Sequence, residues 1–234
     1  MAEVDFTIDG KECKAEEGIN LVDAAAKNGV YIPTLCYSSG EKCLGTCRVC
    51  TIKINGRVNA ACTLTVEKGI HLEVDTDELK NARQGIVELL FSEGNHFCPS
   101  CEKSGDCTLQ ALGYDMKMMV SRFHYRFNNR DINFEADKII LENNRCVLCK
   151  KCTHRFRDQD GQRVFSFEGK GEGLHVNMDI DRTNKMSEEK IDEVVNLCPV
   201  GAILRKGKGF DRPYGERKYD YKSISEQSVE KADE

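Results

Sequence analysis

Cys146-Val147-Leu148-Cys149-Lys150-Lys151-Cys152, answered far downstream by Cys198-Pro199, is the stretch that decides what this sequence folds around. It matches the start of the four-iron cluster pattern Cys-x2-Cys-x2-Cys-x3-Cys-Pro, which is used twice when two clusters are held, the fourth Cys of each run binding the other cluster. Phe156 stands where the fourth Cys of this first run would be. The second run keeps only its end, Cys198-Pro199, with Glu188, Ile191 and Val194 at its earlier ligand positions. By the crossover rule Cys146, Cys149, Cys152 and Cys198 fall on one cluster, and all four ligands of the other are missing. The pattern therefore predicts a single four-iron cluster here. Tetrahedral zinc sites draw their ligands as separated pairs, and this run is too crowded for one.

Upstream, Asn95 to Gly113 holds His96, Cys98, Cys101 and Cys107 with so little apolar sequence that only a metal or a packing partner could order it. A four-iron cluster needs one ligand more than these three thiolates, and His96, two residues before Cys98, is the nearest candidate. A neutral imidazole in place of a thiolate removes one negative charge, which by itself makes a cluster easier to reduce. Asp77 to Phe91 leads into this segment with helical spacing at Leu79, Ala82, Ile86, Leu89 and Leu90, and Gly94 closes it.

The N-terminal part alternates. Val4 to Ile8, the turn Asp9-Gly10 and Glu12 to Ala15 read as a hairpin, followed by a short helix capped by Asn20 and stopped at Asn28-Gly29. Val49 to Ile54, Asn55-Gly56 and Arg57 to Ala61 read as a second hairpin, and Ile70 to Val74 as a last strand. Hairpin, helix, loop, hairpin and strand make a β-grasp pattern ending near residue 75. Its cysteines resemble the plant-type two-iron spacing Cys-x4-Cys-x2-Cys with a distant fourth. Cys47, Cys50 and Cys62 fit, but the first gap is open: ten residues separate Cys36 from Cys47 and only three separate Cys43 from it, so spacing does not choose between them. Gly45 suits a loop that turns its N–H groups toward sulfur. Cys13, on a predicted strand, reads as a small buried residue.

Thirteen cysteines in a chain whose start, Met1 to Asp9, has neither the basic flank nor the apolar core of a signal peptide point to a cytoplasmic location and to metal ligation over disulfides. A net charge of -5 gives no basic stripe for nucleic acid. No run approaches the roughly 18 apolar residues of a membrane span. No dinucleotide fingerprint occurs in a strand-to-helix setting, so flavin and NAD are expected on another chain.

With the three sets in order, the whole chain resembles the small iron-sulfur diaphorase subunit of soluble NAD-reducing nickel-iron hydrogenases, itself similar to the N-terminal part of the large iron-sulfur subunit of respiratory complex I and of iron-only hydrogenases. The resemblance is carried by Tyr31 to Cys36, Cys43-Leu-Gly-Thr-Cys-Arg-Val-Cys50, Gly94 to Cys107, Met119 to Phe123 and Cys198-Pro-Val-Gly201. It implies two-iron ligation by Cys36, Cys47, Cys50 and Cys62, and four-iron ligation by His96 with Cys98, Cys101 and Cys107, although complex I relatives have three residues between that His and the next Cys where this chain has one. The implied class is α+β: a plant-type ferredoxin β-grasp domain at 1–76, a small helical segment at 77–118 binding a cluster through one His and three Cys, a bacterial-ferredoxin-like domain with one four-iron cluster at 119–206, and a partner-contacting tail at 207–234. The expected function is non-catalytic electron relay through one [2Fe-2S] and two [4Fe-4S] clusters. The expected partners are a flavoprotein subunit binding NAD(H) and FMN and the small and large hydrogenase subunits. The alternatives are the same relay in an NAD-dependent formate dehydrogenase or a complex I-like NADH dehydrogenase, and, more remotely, a non-redox zinc protein.

Overall fold

The computed structural model describes residues 2–126, 128–210 and 212–230. Met1, Phe127, Asp211 and Lys231 to Glu234, which belong to the expected segments 1–76, 119–206 and 207–234, lie outside the described residues. The chain forms two compact units, one of Met1–Leu89, Ala111–Arg122 and Tyr221–Glu234, the other of Leu90–Gln110 and Phe123–Asp220. This division differs from the four consecutive segments expected from sequence, because the chain leaves the first unit and returns to it twice.

In the first unit β1 (Glu3–Ile8) and β2 (Lys11–Glu16) form a hairpin that buries Val4, Phe6 and Ile8 opposite Cys13 and Ala15. Alternate residues of a strand share a face, so one face of the pair is apolar. The turn residues Asp9 and Gly10 have φ of 51° and 81°, the left-handed pair that a two-residue turn needs to match strand twist. Helix α1 (Leu21–Lys27) buries Leu21, Ala24 and Ala25. Its cap Asn20 accepts from the Val22 N–H at 2.9 Å and donates through Nδ2 to the Cys62 carbonyl at 3.0 Å. One side chain thus starts the helix and holds a cysteine. Strands β3 (Thr51–Ile54), β4 (Arg57–Ala60) and β5 (His71–Glu73) complete a sheet of order β2-β1-β5-β3-β4 in which β1 and β5 run parallel, a β-grasp topology. The strands are shorter than the sequence suggests: Val49 and Cys50 belong to the turn before β3, and Ala61 opens a short 3-10 turn.

Helix α2 (Asp77–Glu93) begins in the first unit. Glu88 is fully buried on it and accepts from Arg122 Nε at 2.7 Å, a pairing that burial of the carboxylate demands. Helix α3 (Thr108–Asp115) follows the middle cysteines. The second unit holds β6 (Ile132–Asn133), β7 (Ile139–Glu142), α4 (Lys151–His154), the antiparallel pair β8 (Phe165–Glu168) and β9 (His175–Met178), α5 (Ile180–Lys185), α6 (Glu188–Leu197) and β10 (Ile203–Arg205). Its three-stranded sheet has the order β10-β7-β6. Ser187 caps α6 by accepting from the Lys190 N–H, and Ile191 and Val194 on it are fully buried.

The tail packs on its own chain. The Tyr219 N–H donates to the Gly105 carbonyl at 3.0 Å and the Lys218 N–H to Asp106 at 2.8 Å, while α7 (Ile224–Glu230) buries Ile224 in the first unit. The physical reason is Arg217, whose guanidinium is held by Asp220 and the Ser104 carbonyl and lies 3.9 Å from the Tyr214 ring centre. Tyr214 and Tyr221 themselves stay exposed. Among the described residues no helix is long and apolar enough to cross a membrane.

Candidate metal centres

None of the thirteen cysteines is in a disulfide. In the first unit Cys36, Cys43, Cys47, Cys50 and Cys62 converge. Sγ of Cys36 is 3.6 Å from Sγ of Cys43, and Sγ of Cys50 is 3.2 Å from Sγ of Cys62. The sulfurs of Cys36, Cys43 and Cys62 all lie within 4.8 Å of one another. The sheet does part of this: β3 pairs with β4, which sets Ala61 opposite Cys50, and the 3-10 turn that Ala61 opens brings Cys62 against Cys50. The loop does the rest, with Gly45 at φ 63° and Arg48 at φ 62°. A Cβ on Gly45 would stand 2.7 Å from Thr63 Cγ2, so the loop closes only around glycine. Backbone N–H groups reach the sulfurs, that of Cys47 reaching Cys36 and that of Val49 reaching Cys47. Hydrogen bonds from Cys43, Cys47 and Cys62 hold the Cys36 thiol far below its usual range, and giving those bonds pushes the three neighbours up. Protons alone would leave few thiolates among these sulfurs, whereas bound metal cations favour every thiolate. The donor set fits a metal cluster.

The middle set lies in the second unit. Cys98, Cys101 and Cys107 are raised first by burial, Cys107 to about 12, and charge on Cys101 would raise Cys98 and Cys107 further. The Gln110 N–H approaches Cys107 Sγ at 3.5 Å. His96 is not drawn into a tight group with these thiols. Its ring packs edge-on to Phe91 at 5.5 Å and lies over Gly94, where an added Cβ would collide with Nε2 and with the Asn144 carbonyl. Burial, and then the charge of Arg145, pull its pKa down to about 4, so the ring is neutral at ordinary pH. Its buried Nε2 has no hydrogen-bond partner among the described residues. A neutral, buried ring nitrogen without a hydrogen-bond partner among the described residues has the donor chemistry a metal ligand requires.

Cys146, Cys149, Cys152 and Cys198 together line one cavity, closed by Leu141, Leu148, Val176, Val200 and Ile203. Leu148 at φ 49° and Lys150 at φ 67° bend the backbone between the cysteines, and the N–H groups of Leu148, Lys151 and Thr153 point at the sulfurs of Cys146, Cys149 and Cys152. Left-handed backbone at two non-glycine residues is strain that a sulfur-lined cavity explains. Burial pushes Cys146 to about 11 and Cys149 to about 12. At the positions where a second cluster's ligands would sit, Phe156, Ile191 and Val194 are fully buried, and Phe156 packs edge-on to Phe165 at 5.8 Å. Glu188 is instead exposed and paired with Arg205.

Residues 1–77 match the 2Fe-2S iron-sulfur cluster binding domain, residues 83–122 the NADH-ubiquinone oxidoreductase-G iron-sulfur binding region, and residues 136–204 the ferredoxin-like domain of NADH-quinone oxidoreductase subunit 3. Over 98% of its length the chain is 50% identical to the NAD-reducing hydrogenase HoxS subunit gamma of Cupriavidus necator, of which it covers 99%. The chain belongs to this hydrogenase gamma-subunit family. A chain in the crystal structure of an NAD+-reducing [NiFe]-hydrogenase in the H2-reduced state superposes with a TM-score of 0.87 at 34% identity, with 98% of each chain covered. The mitochondrial NADH-ubiquinone oxidoreductase 78 kDa subunit of Candida albicans is 30% identical over 90% of the chain, which spans 29% of that relative.

In this gamma-subunit relative, three residues that sequence reasoning passed over shape the sites. Arg145, next to Cys146, donates to Glu102 at 2.8 Å and acts electrostatically on His96, Cys98 and Cys101. Gly201 lies against the middle set, where a Cβ would stand 2.7 Å from Cys101 Sγ, while Pro199 accepts from the Thr108 N–H beside Cys107. The Cys198 to Gly201 turn therefore touches both sets of the second unit. Arg83 donates through Nε to the carbonyl of Thr51, the residue after Cys50, from a site where it is only 5% exposed. The Cys-Pro-Val-Gly motif hinted at Gly201, but no local signal marked Arg145 or Arg83, whose partners are distant in sequence.

Proposed function

We propose that this chain is the electron-relay subunit of an NAD-reducing hydrogenase complex, passing electrons between an NAD(H)- and FMN-binding flavoprotein subunit and the small and large hydrogenase subunits. The observation that supports the reading is the lining of one cavity by Cys146, Cys149, Cys152 and Cys198, with Cys36, Cys43 and Cys62 within ligand reach of one another, inside a chain of the gamma-subunit family. Cys36, Cys47, Cys50 and Cys62 hold a [2Fe-2S] cluster. His96, Cys98, Cys101 and Cys107 hold one [4Fe-4S] cluster, and Cys146, Cys149, Cys152 and Cys198 hold another. Bound there, the clusters supply reversible one-electron chemistry. The count of two four-iron clusters rests on the apolar filling at Phe156, Ile191 and Val194, which leaves no place for a third.

The chain's own residues set the conditions for that chemistry. N–H groups directed at sulfur favour the more negative, reduced state, as does the charge of Arg145 beside the middle set. Leu141, Leu148, Val176, Val200 and Ile203 give the cavity of the third cysteine set an apolar wall. Exposed Tyr214 and Tyr221 offer contact area to partner subunits, and a cytoplasmic location is part of the proposal. The 50% identity over nearly the whole hydrogenase relative favours that assembly over a formate dehydrogenase or a complex I-like enzyme.

The test is iron and acid-labile sulfide per chain on anaerobically purified protein, with electron paramagnetic resonance after reduction and identification of co-purifying chains. About ten irons and ten sulfides with a two-iron signal support the inventory. Zinc without sulfide overturns it.

A further inference from the structure

The cysteine loop of the first unit carries one thiol more than a two-iron cluster uses. Two thiolates on one tetrahedral metal, with metal–sulfur bonds of about 2.3 Å, stand about 3.7 Å apart. Cys50 and Cys62, at 3.2 Å, are near that spacing, and so are Cys36 and Cys43 at 3.6 Å. The family resemblance takes Cys36, Cys47, Cys50 and Cys62 as the ligands, yet Cys43 already stands at ligand distance from Cys36 and within 4.8 Å of Cys62. It is carried by a loop with left-handed glycines on both sides, Gly40 at φ 77° and Gly45 at φ 63°, and it is half-buried while Cys36, Cys47, Cys50 and Cys62 are buried.

We infer that Cys43 is an interchangeable ligand of the first cluster, able to take the place of Cys47 beside Cys36 on one iron. The inference rests on the reading of this set as a two-iron site. In the exchange the Cys43 thiol gives up its proton as its Sγ–iron bond forms, the Cys47 Sγ–iron bond breaks, and the released Cys47 thiolate takes up a proton. No electron moves. The short chain between the two cysteines, Leu44-Gly45-Thr46, allows the swap without moving Cys36. The outcome is a site that survives loss of one particular sulfur.

The experiment compares the parent chain with Cys43→Ala, Cys47→Ala and the double variant, each purified anaerobically in its complex, reading iron, acid-labile sulfide and the reduced two-iron resonance. The four-iron resonances report that each variant has folded. Cys43→Ala is expected to keep the parent signal. Cys47→Ala is expected to keep its two-iron sulfide with a shifted resonance, and the double variant is expected to lose both. Loss of the cluster in Cys47→Ala to the same extent as in the double variant, with the four-iron signals intact, would falsify the inference, as would loss in Cys43→Ala alone. A parent chain with no two-iron signal would instead strike at the cluster assignment itself.

Discussion

The two units position thiols by different means. In the first, a five-stranded sheet with its own apolar core anchors the loop and turn that bring five sulfurs together, strand pairing setting Ala61 opposite Cys50 and the turn after it bringing Cys62 to 3.2 Å from Cys50. In the second, small sheets and short helices leave most of the cysteines on loops and turns, with Cys152 on α4, four around a cavity and three on the segment that also holds His96. A packed sheet can hold a metal site open before the metal arrives. A loop of strained backbone around buried sulfur depends on the metal to offset the strain and desolvation. The first site should therefore be the more independent, and the two sites of the second unit the more coupled, since one turn, Cys198 to Gly201, touches both.

The harshest way to break that contrast is Cys198→Ser. It should remove one four-iron cluster, taking iron from about ten to about six per chain. The two-iron resonance should survive. Its disappearance would show that the first unit does not stand alone. Next is Gly201→Ala, whose methyl would meet Cys101 Sγ and cost about 1–3 kcal/mol in overpacking. The resonance of the middle four-iron cluster should change more than that of the two-iron cluster, and an unaltered spectrum would mean that the turn does not couple the sites.

A milder probe of the first unit is Glu88→Gln. Burial raises the Glu88 pKa, but the hydrogen bonds from Arg122 outweigh it and leave the carboxyl below its usual range. A group depressed on folding stabilises above its unfolded pKa and loses that contribution as pH falls through its folded value. The parent's thermal midpoint should thus drop more steeply than the variant's on the acid side of pH 4–5, while near neutrality Glu88→Gln loses about 1–3 kcal/mol. Parallel curves would remove Glu88 from the account. The smallest effect is expected from Asn20→Ala, about 1 kcal/mol for a lost cap, measured by denaturant unfolding. A slightly larger loss would reflect the added bond to the Cys62 carbonyl.

Local chemistry made much of this legible. Asp9-Gly10 and Asn55-Gly56 announced two hairpins because few residues other than Gly and Asn or Asp accept the left-handed backbone that tight turns need. Asn20 and Ser187 announced helix starts because their side chains cap free N–H groups. The absence of cysteine at 156, 188, 191 and 194 argued against a further cluster, and the burial of Phe156, Ile191 and Val194 shows what stands there in its place. The tail was less legible. It was expected as a partner-contacting arm, yet Arg217 ties it to the Ser104 carbonyl and the Tyr219 N–H to the Gly105 carbonyl, more than a hundred residues away.

From its residues alone this protein had its cysteine sets, its turns and caps, and the periodicity of its strands and helices, all properties carried within a few residues of chain. Tertiary structure decided the rest. It brought Cys43 beside Cys36, placed Arg145 at the middle set rather than at the set containing its neighbour Cys146, and pressed Gly201 against Cys101. Each of these is a contact between segments distant along the chain or within an irregular loop, where only packing and electrostatics in three dimensions choose the partner.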